Sequence, residues 1–215
     1  MNKDTRAALR KVLTLDHLTM DTRAAKAYVL KRLKEELPTE RSYHSLGHTL
    51  DVYASVIDIA LNEGLEGEDL ELLKIAALYH DCGFVVNNDS HEEVGCSIVS
   101  EQLPGFGFST VQIERICAMI RATKIPQSPQ DLPARILCDA DLDYLGRGDF
   151  KQIGDTLFAE MQAYGHLRTE MEWNTLQVGF LTQHRYFTRT NIELREPVKQ
   201  AHLAKVKAWL ADKGQ

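Results

Sequence analysis

A chain of 215 residues, 44% hydrophobic and 26% charged, can bury one sizeable core and falls outside the disordered and membrane-embedded classes. Its formal net charge of −6 provides no basic footprint, which argues against a nucleic-acid polymer as partner but not against a small phosphorylated one, because a bound cation can bring positive charge locally. No apolar run approaches the ~18 residues of a membrane span, and the opening Met1-Asn2-Lys3-Asp4-Thr5-Arg6 lacks the apolar stretch of a leader, so a cytoplasmic protein without membrane contact is expected. Cys82, Cys96, Cys117 and Cys138 are widely spaced and form no CxxC pair, as in reduced, packed thiols.

In chain order, nearly every segment carries helical rather than strand-like periodicity. Residues 22–36 set Ala25, Tyr28, Val29, Leu30 and Leu33 among charges, and Pro38 closes the segment. From Tyr43 to Asn62, Leu46, Leu50, Tyr53, Val56, Ile57 and Ala60 recur at helical spacing, and Gly64 is a stop. Leu70 to His80 is apolar on every side, as in a helix through the middle of a core. Glu92 to Leu103 follows, ending at Pro104-Gly105. Ser109 then caps a helix running to about Ala122, with Gln112 completing a capping box. Pro126, Pro129 and Pro133 mark a connection into a helix over Ala134–Leu145. Helices at about 149–164 and 170–186 precede a last one from Asn191 to Ala211, in which Pro197 makes a kink or a true first turn. No repeat or linker divides the chain, so a single-domain, all-α helical bundle is expected.

Four of the eight histidines lie between positions 44 and 91. His44 and His48 are one turn apart on one helix face, and Asp51 beyond them is placed to accept the other ring N–H of His48. The apolar helix ends in the doublet His80–Asp81, and burying two ionisable groups there is costly unless a divalent cation compensates them. Asp139, Asp141 and Asp143 follow another apolar segment, and one of these carboxylates can close a metal site. Arg121, Thr123 and Lys124 end a helix; Arg121 and Lys124 are candidates for substrate phosphate, or complement the helix C-terminus. Cys82 reads as a small apolar filler. His184-Arg185-Tyr186 reads as a packed tyrosine with solvated neighbours, and His17, His166 and His202 as surface residues.

Several alternatives fail on spacing. His91-Glu92-Glu93-Val94-Gly95 lacks the second histidine of a zincin, and Asp139-Ala140-Asp141-Leu142-Asp143 has Tyr144 where a calcium loop needs glycine. Gly105-Phe106-Gly107 is followed by neither a third glycine nor a GK[ST].

The ordered set of Tyr43-His44-Ser45-Leu46-Gly47-His48, His80-Asp81-Cys82-Gly83 and Asp139-Ala140-Asp141 resembles the HD-domain metal-dependent phosphohydrolases, over about residues 43–146. The resemblance implies His48, His80, Asp81 and Asp141 as metal ligands, with Asp141 preferred because it follows alanine in a helix. It implies one or two divalent ions, with Fe, Mn, Co, Ni or Zn suiting the mixed N/O set better than Mg. His44 resembles the first histidine of the phosphodiesterase branch, which acts on the leaving group, and Asp81 is implied as both ligand and catalytic centre. His91 and Glu92 stand where further ligands or a phosphate contact occur in dinuclear members. The implied activity is hydrolysis of a small phosphoester such as a nucleotide, cyclic nucleotide or other phosphorylated metabolite. A non-catalytic nucleotide-binding regulatory module and an HD-type diiron oxygenase are the other readings this ligand set permits.

Overall fold

The computed structural model describes residues 20–86 and 90–213; His17 lies outside them. Among the described residues there are ten α-helices, three short 3₁₀ turns and no β-strand. The helices are α1 (Thr22–Glu36), α2 (Leu46–Glu63), α3 (Gly67–Tyr79), α4 (His91–Gln102), α5 (Thr110–Ala122), α6 (Leu132–Asp141), α7 (Phe150–Ala163), α8 (Glu170–Gln183), α9 (Arg189–Leu194) and α10 (Glu196–Lys213). None is long and apolar enough to cross a membrane.

The centre of the bundle is α3, which packs against α1, α2, α5 and α6. Its apolar character all round is matched by burial of Leu72, Leu73, Ile75, Ala76, Ala77, Leu78 and Tyr79, each large side chain contributing about 1.5–3 kcal/mol when taken out of water. A second apolar cluster joins the turn Asp143–Gly146 to α7, α8 and α10 through Tyr144, Leu145, Phe150, Leu181, Leu203 and Val206.

Most helix ends follow local chemistry. Ser109 and Gln112 form a reciprocal capping box at α5, and Gly64 ends α2 at φ 72°, a left-handed conformation that costs glycine little. Other ends depart from expectation. Helix α2 starts at Leu46 because the Ser45 hydroxyl accepts from the His48 N–H, so Tyr43 and His44 precede the helix. The expected helix over Ala134–Leu145 stops at Asp141 and tightens into a 3₁₀ turn, and that over 170–186 stops at Gln183 with His184 extended. The last amphipathic stretch is two helices, and Pro197 occupies the first turn of the second, where its missing N–H is not needed. Leu50 and Ile57, on the expected apolar stripe of α2, are exposed.

Candidate metal centre

The centre lies where α2, the end of α3 and the end of α6 meet. His80 is the last residue of helical conformation in α3, and Asp81 follows at φ −103° and ψ 4° before the turn Cys82–Val85. The His80 Nδ1 lies 2.8 Å from the Ala77 carbonyl oxygen. A carbonyl can only accept, so Nδ1 carries the proton and Nε2 is left with its lone pair. His48 enters from the first turn of α2, its ring stacked on Tyr43 with centroids 4.7 Å apart.

Four side-chain atoms converge. The His48 and His80 Nε2 atoms are 3.4 Å apart, and Asp141 Oδ1 lies 3.2 Å from the first and 3.4 Å from the second. These three donors form a compact cluster able to hold a metal ion. Asp81 Oδ2 stands 3.5 Å from His48 Nε2 and 3.2 Å from His80 Nε2, yet it is buried without a hydrogen-bond partner. Ligand atoms around a first-row ion, with bonds of about 2.0–2.2 Å, stand about 3.0–3.5 Å from their neighbours. Both the spacing and the orphaned oxygen fit a divalent cation.

The electrostatics carry the same signature. Burial pushes both carboxyls up, but the histidines outweigh it, holding Asp81 well below the usual carboxylate range and Asp141 at about 2. Burial opposes the charge on His80, and the two aspartates overcome it and raise the imidazole well above its ordinary value. Positive charge is favoured here whether protons or a cation bring it.

Of the three alternate acids, only Asp141 joins this cluster. Asp139 is fully buried and accepts from the Phe187 N–H (2.8 Å) and from both the N–H (2.8 Å) and hydroxyl (2.6 Å) of Thr188. Asp143 pairs with Arg195 at 2.7 Å and accepts from the Asn191 amide at 3.1 Å. They tie the carboxy-terminal segment to α6 and to the turn after it. Positions two apart on a helix point about 200° apart, so Asp139 and Asp141 cannot share one target.

Two further groups border the centre. The Asp81 Oδ1 faces His91 Nε2 at 3.6 Å, and that nitrogen is 3.6 Å from Glu92 Oε1. The two oxygens of Asp81 thus look toward different partners. The turn after the doublet reaches His91 because residue 83 is glycine: a Cβ there would stand 1.9 Å from the His91 carbonyl oxygen. Phe84 stacks on the His91 ring at 4.0 Å, and burial lowers the pKa of His91 despite Asp81 beside it.

His44 sits on the other side, with Nδ1 2.6 Å from Glu160 Oε1. Glu160, on α7, was not singled out in the sequence. It is 2% exposed and also accepts from Arg41 Nη1 at 2.5 Å and from the backbone N–H groups of Tyr43 (2.8 Å) and His44 (3.0 Å). Burial pushes its carboxyl up, but these donors win and hold it at about 2. The available signal was an acid on the face shared with Leu157 and Tyr164, at i−3 and i+4. A buried acid there requires partners.

Other sequence expectations are corrected. Asp51 does not orient His48; it pairs with Arg147 at 2.9 Å. Arg121 is exposed and bound to Glu93 at 2.8 Å, and neither it nor Lys124 lines the cavity over the centre, whereas Thr123 between them does. His184 is buried rather than solvated, with Lys199 Nζ 3.2 Å from its Nδ1, while Tyr186 is packed as expected. His202 is half-buried, its Nε2 donating to the Arg147 carbonyl at 2.8 Å, with its ring on Phe150. His166 is exposed, and the four cysteines are buried free thiols.

Residues 45–143 match the family model of the HD domain. The crystal structure of a predicted HD superfamily hydrolase from an uncultured Thermotogales bacterium is similar, with TM-score 0.58 and 22% identity over 86% of this chain and 91% of that one. A Lactobacillus plantarum protein is similar with TM-score 0.59 and 18% identity, over 88% of this chain and 97% of that one. At such identities the likeness is one of fold. No curated protein sequence matches the chain.

Proposed function

We propose that the chain is a metal-dependent phosphohydrolase acting on a small phosphoester. The observation that supports it best is the convergence of His48, His80, Asp81 and Asp141 from three helices, with Asp81 Oδ2 buried and unpartnered. These four residues would hold a divalent first-row ion, which when bound supplies Lewis-acid polarisation of a phosphoryl oxygen and acidifies a water molecule.

The chain's own residues supply the rest. Hydrolysis forms a bond from water oxygen to phosphorus and breaks the bond from phosphorus to the ester oxygen, which leaves as an alcohol once protonated. His44 lines the cavity, and its Nδ1 is engaged by Glu160, so Nε2 is the atom that gives that proton. The Glu160 carboxylate balances the charge of the imidazolium and fixes the ring. His91 and Glu92, on the far side of Asp81, would hold a second ion or orient a phosphate oxygen.

The test is metal content together with phosphoester hydrolysis. Purified protein should carry a first-row metal and either release phosphate from phosphomonoesters or open cyclic nucleotides to nucleoside monophosphates. His80→Ala and Asp81→Ala should lose both metal and activity while remaining folded. Hydrolysis by metal-free protein at the wild-type rate would overturn the proposal, as would no hydrolysis of any of these esters by metal-loaded protein.

A further inference from the structure

Asp81, Asp141 and His44 stand at one end of a cavity of about 300 Å³. The opposite wall comes from outside the matched HD region, chiefly Leu157 and Met161 of α7 and Trp173, Leu176, Phe180 and Leu181 of α8. No lysine or arginine lines it among the described residues. Asp81, Glu92 and Asp141 make its polar end acidic, so cations at that end are what can neutralise an incoming phosphate.

Beyond the acidic end, the polar side chains among the lining residues are Tyr43, Thr123, Tyr144, Trp173 and Gln177, and the Tyr43 and Tyr144 rings pack on each other beside His48. The Thr123 hydroxyl donates to the Ile120 carbonyl at 2.8 Å, and the Gln177 amide donates to Asn174 at 3.2 Å. A ligand surrounded by apolar side chains gains in proportion to the apolar area it buries, and a hydroxyl or ring nitrogen placed there would lose its water without replacement. A chain of further phosphates would find no basic side chain among the described lining residues to neutralise it.

From this we infer that the substrate is the monophosphate ester of an apolar alcohol, with the phosphate at the metal donors and the organic group between α7 and α8. The inference rests on the phosphohydrolase reading for its chemistry, but the binding class stands on the cavity itself.

Calorimetric titration of the metal-loaded protein with non-hydrolysable n-alkylphosphonates, from methyl to hexyl, tests it. The Kd should fall about twofold to fourfold per added methylene. Adenosine 5′-monophosphate and glucose 6-phosphate should bind at least about tenfold more weakly than hexylphosphonate, the scale of a few methylenes. Leu176 is 42% exposed, so Leu176→Gln should fold, and it should flatten the series. A Kd independent of chain length, or tighter binding of either polar comparator, would overturn the inference. Phosphate release from the matching esters separates the two claims. Release with a flat series removes only the substrate class, and a steep series without release removes only the hydrolase reading.

Discussion

Glu160→Gln removes one negative charge from the partner of His44 and keeps the side chain's shape. In the wild type that carboxylate accepts from Arg41, from the Tyr43 and His44 N–H groups and from the His44 ring. These donors take its pKa from the ordinary 4.5 to about 2. That displacement corresponds to about 3 kcal/mol favouring the ionised form in the folded protein. Because the pKa is depressed on folding, the contribution is complete above pH 4.5 and is lost as pH falls toward 2. Thermal unfolding at pH 7 should therefore show Glu160→Gln less stable by about 3 kcal/mol, a Tm lowered by about 6–12 °C for a chain of this size. The gap between variant and wild type should narrow as the pH is lowered below 4.5. Turnover reports the positioning role separately: kcat should fall about 10–100-fold, up to the lower end of a general acid's contribution, with KM and bound metal little changed. Equal stability at pH 7 together with an unaltered kcat would refute the reasoning.

Two further outcomes are expected. Gly83→Ala places a Cβ against the His91 backbone, so the start of α4 must shift; unfolding should show a loss of about 1–3 kcal/mol, and an unchanged Tm would remove the close approach as a determinant of where His91 sits. His184 is held neutral, with its pKa lowered to about 4 by burial and by the adjacent Lys199. Its stabilising contribution is present above the ordinary 6.5 and lost as pH falls toward 4, worth about 3 kcal/mol in all. Calorimetry from pH 7 to 4 should show wild type losing that much more stability than His184→Gln, and parallel losses would contradict it.

The helical class and the residues that converge at the centre were legible in the sequence because their causes are local or ordered along the chain. Apolar periodicity marked α1 to α6 to within a few residues, and an ionisable doublet ending the most apolar helix required compensation wherever it lay. Helix ends were less legible: whether residues 142–146 continue α6 or tighten into a 3₁₀ turn depends on Asp143 meeting Arg195, more than fifty residues on. The same dependence hid Glu160, whose four donors lie over a hundred positions earlier, and misassigned Asp51, whose partner Arg147 reaches it from beyond the centre. Among the three acids at 139, 141 and 143 only the family resemblance preferred Asp141; the physical ground lies in the fold, where the Phe187–Thr188 segment and Arg195 claim the other two.

An anomalous-difference map from crystals soaked in Mn²⁺ tests the convergence of these side chains most directly. One strong peak is expected within about 2.0–2.3 Å of His48 Nε2, His80 Nε2, Asp81 Oδ2 and Asp141 Oδ1, with Asp139 and Asp143 uninvolved. A peak elsewhere with none among these four atoms, or no peak at a saturating concentration, would contradict it.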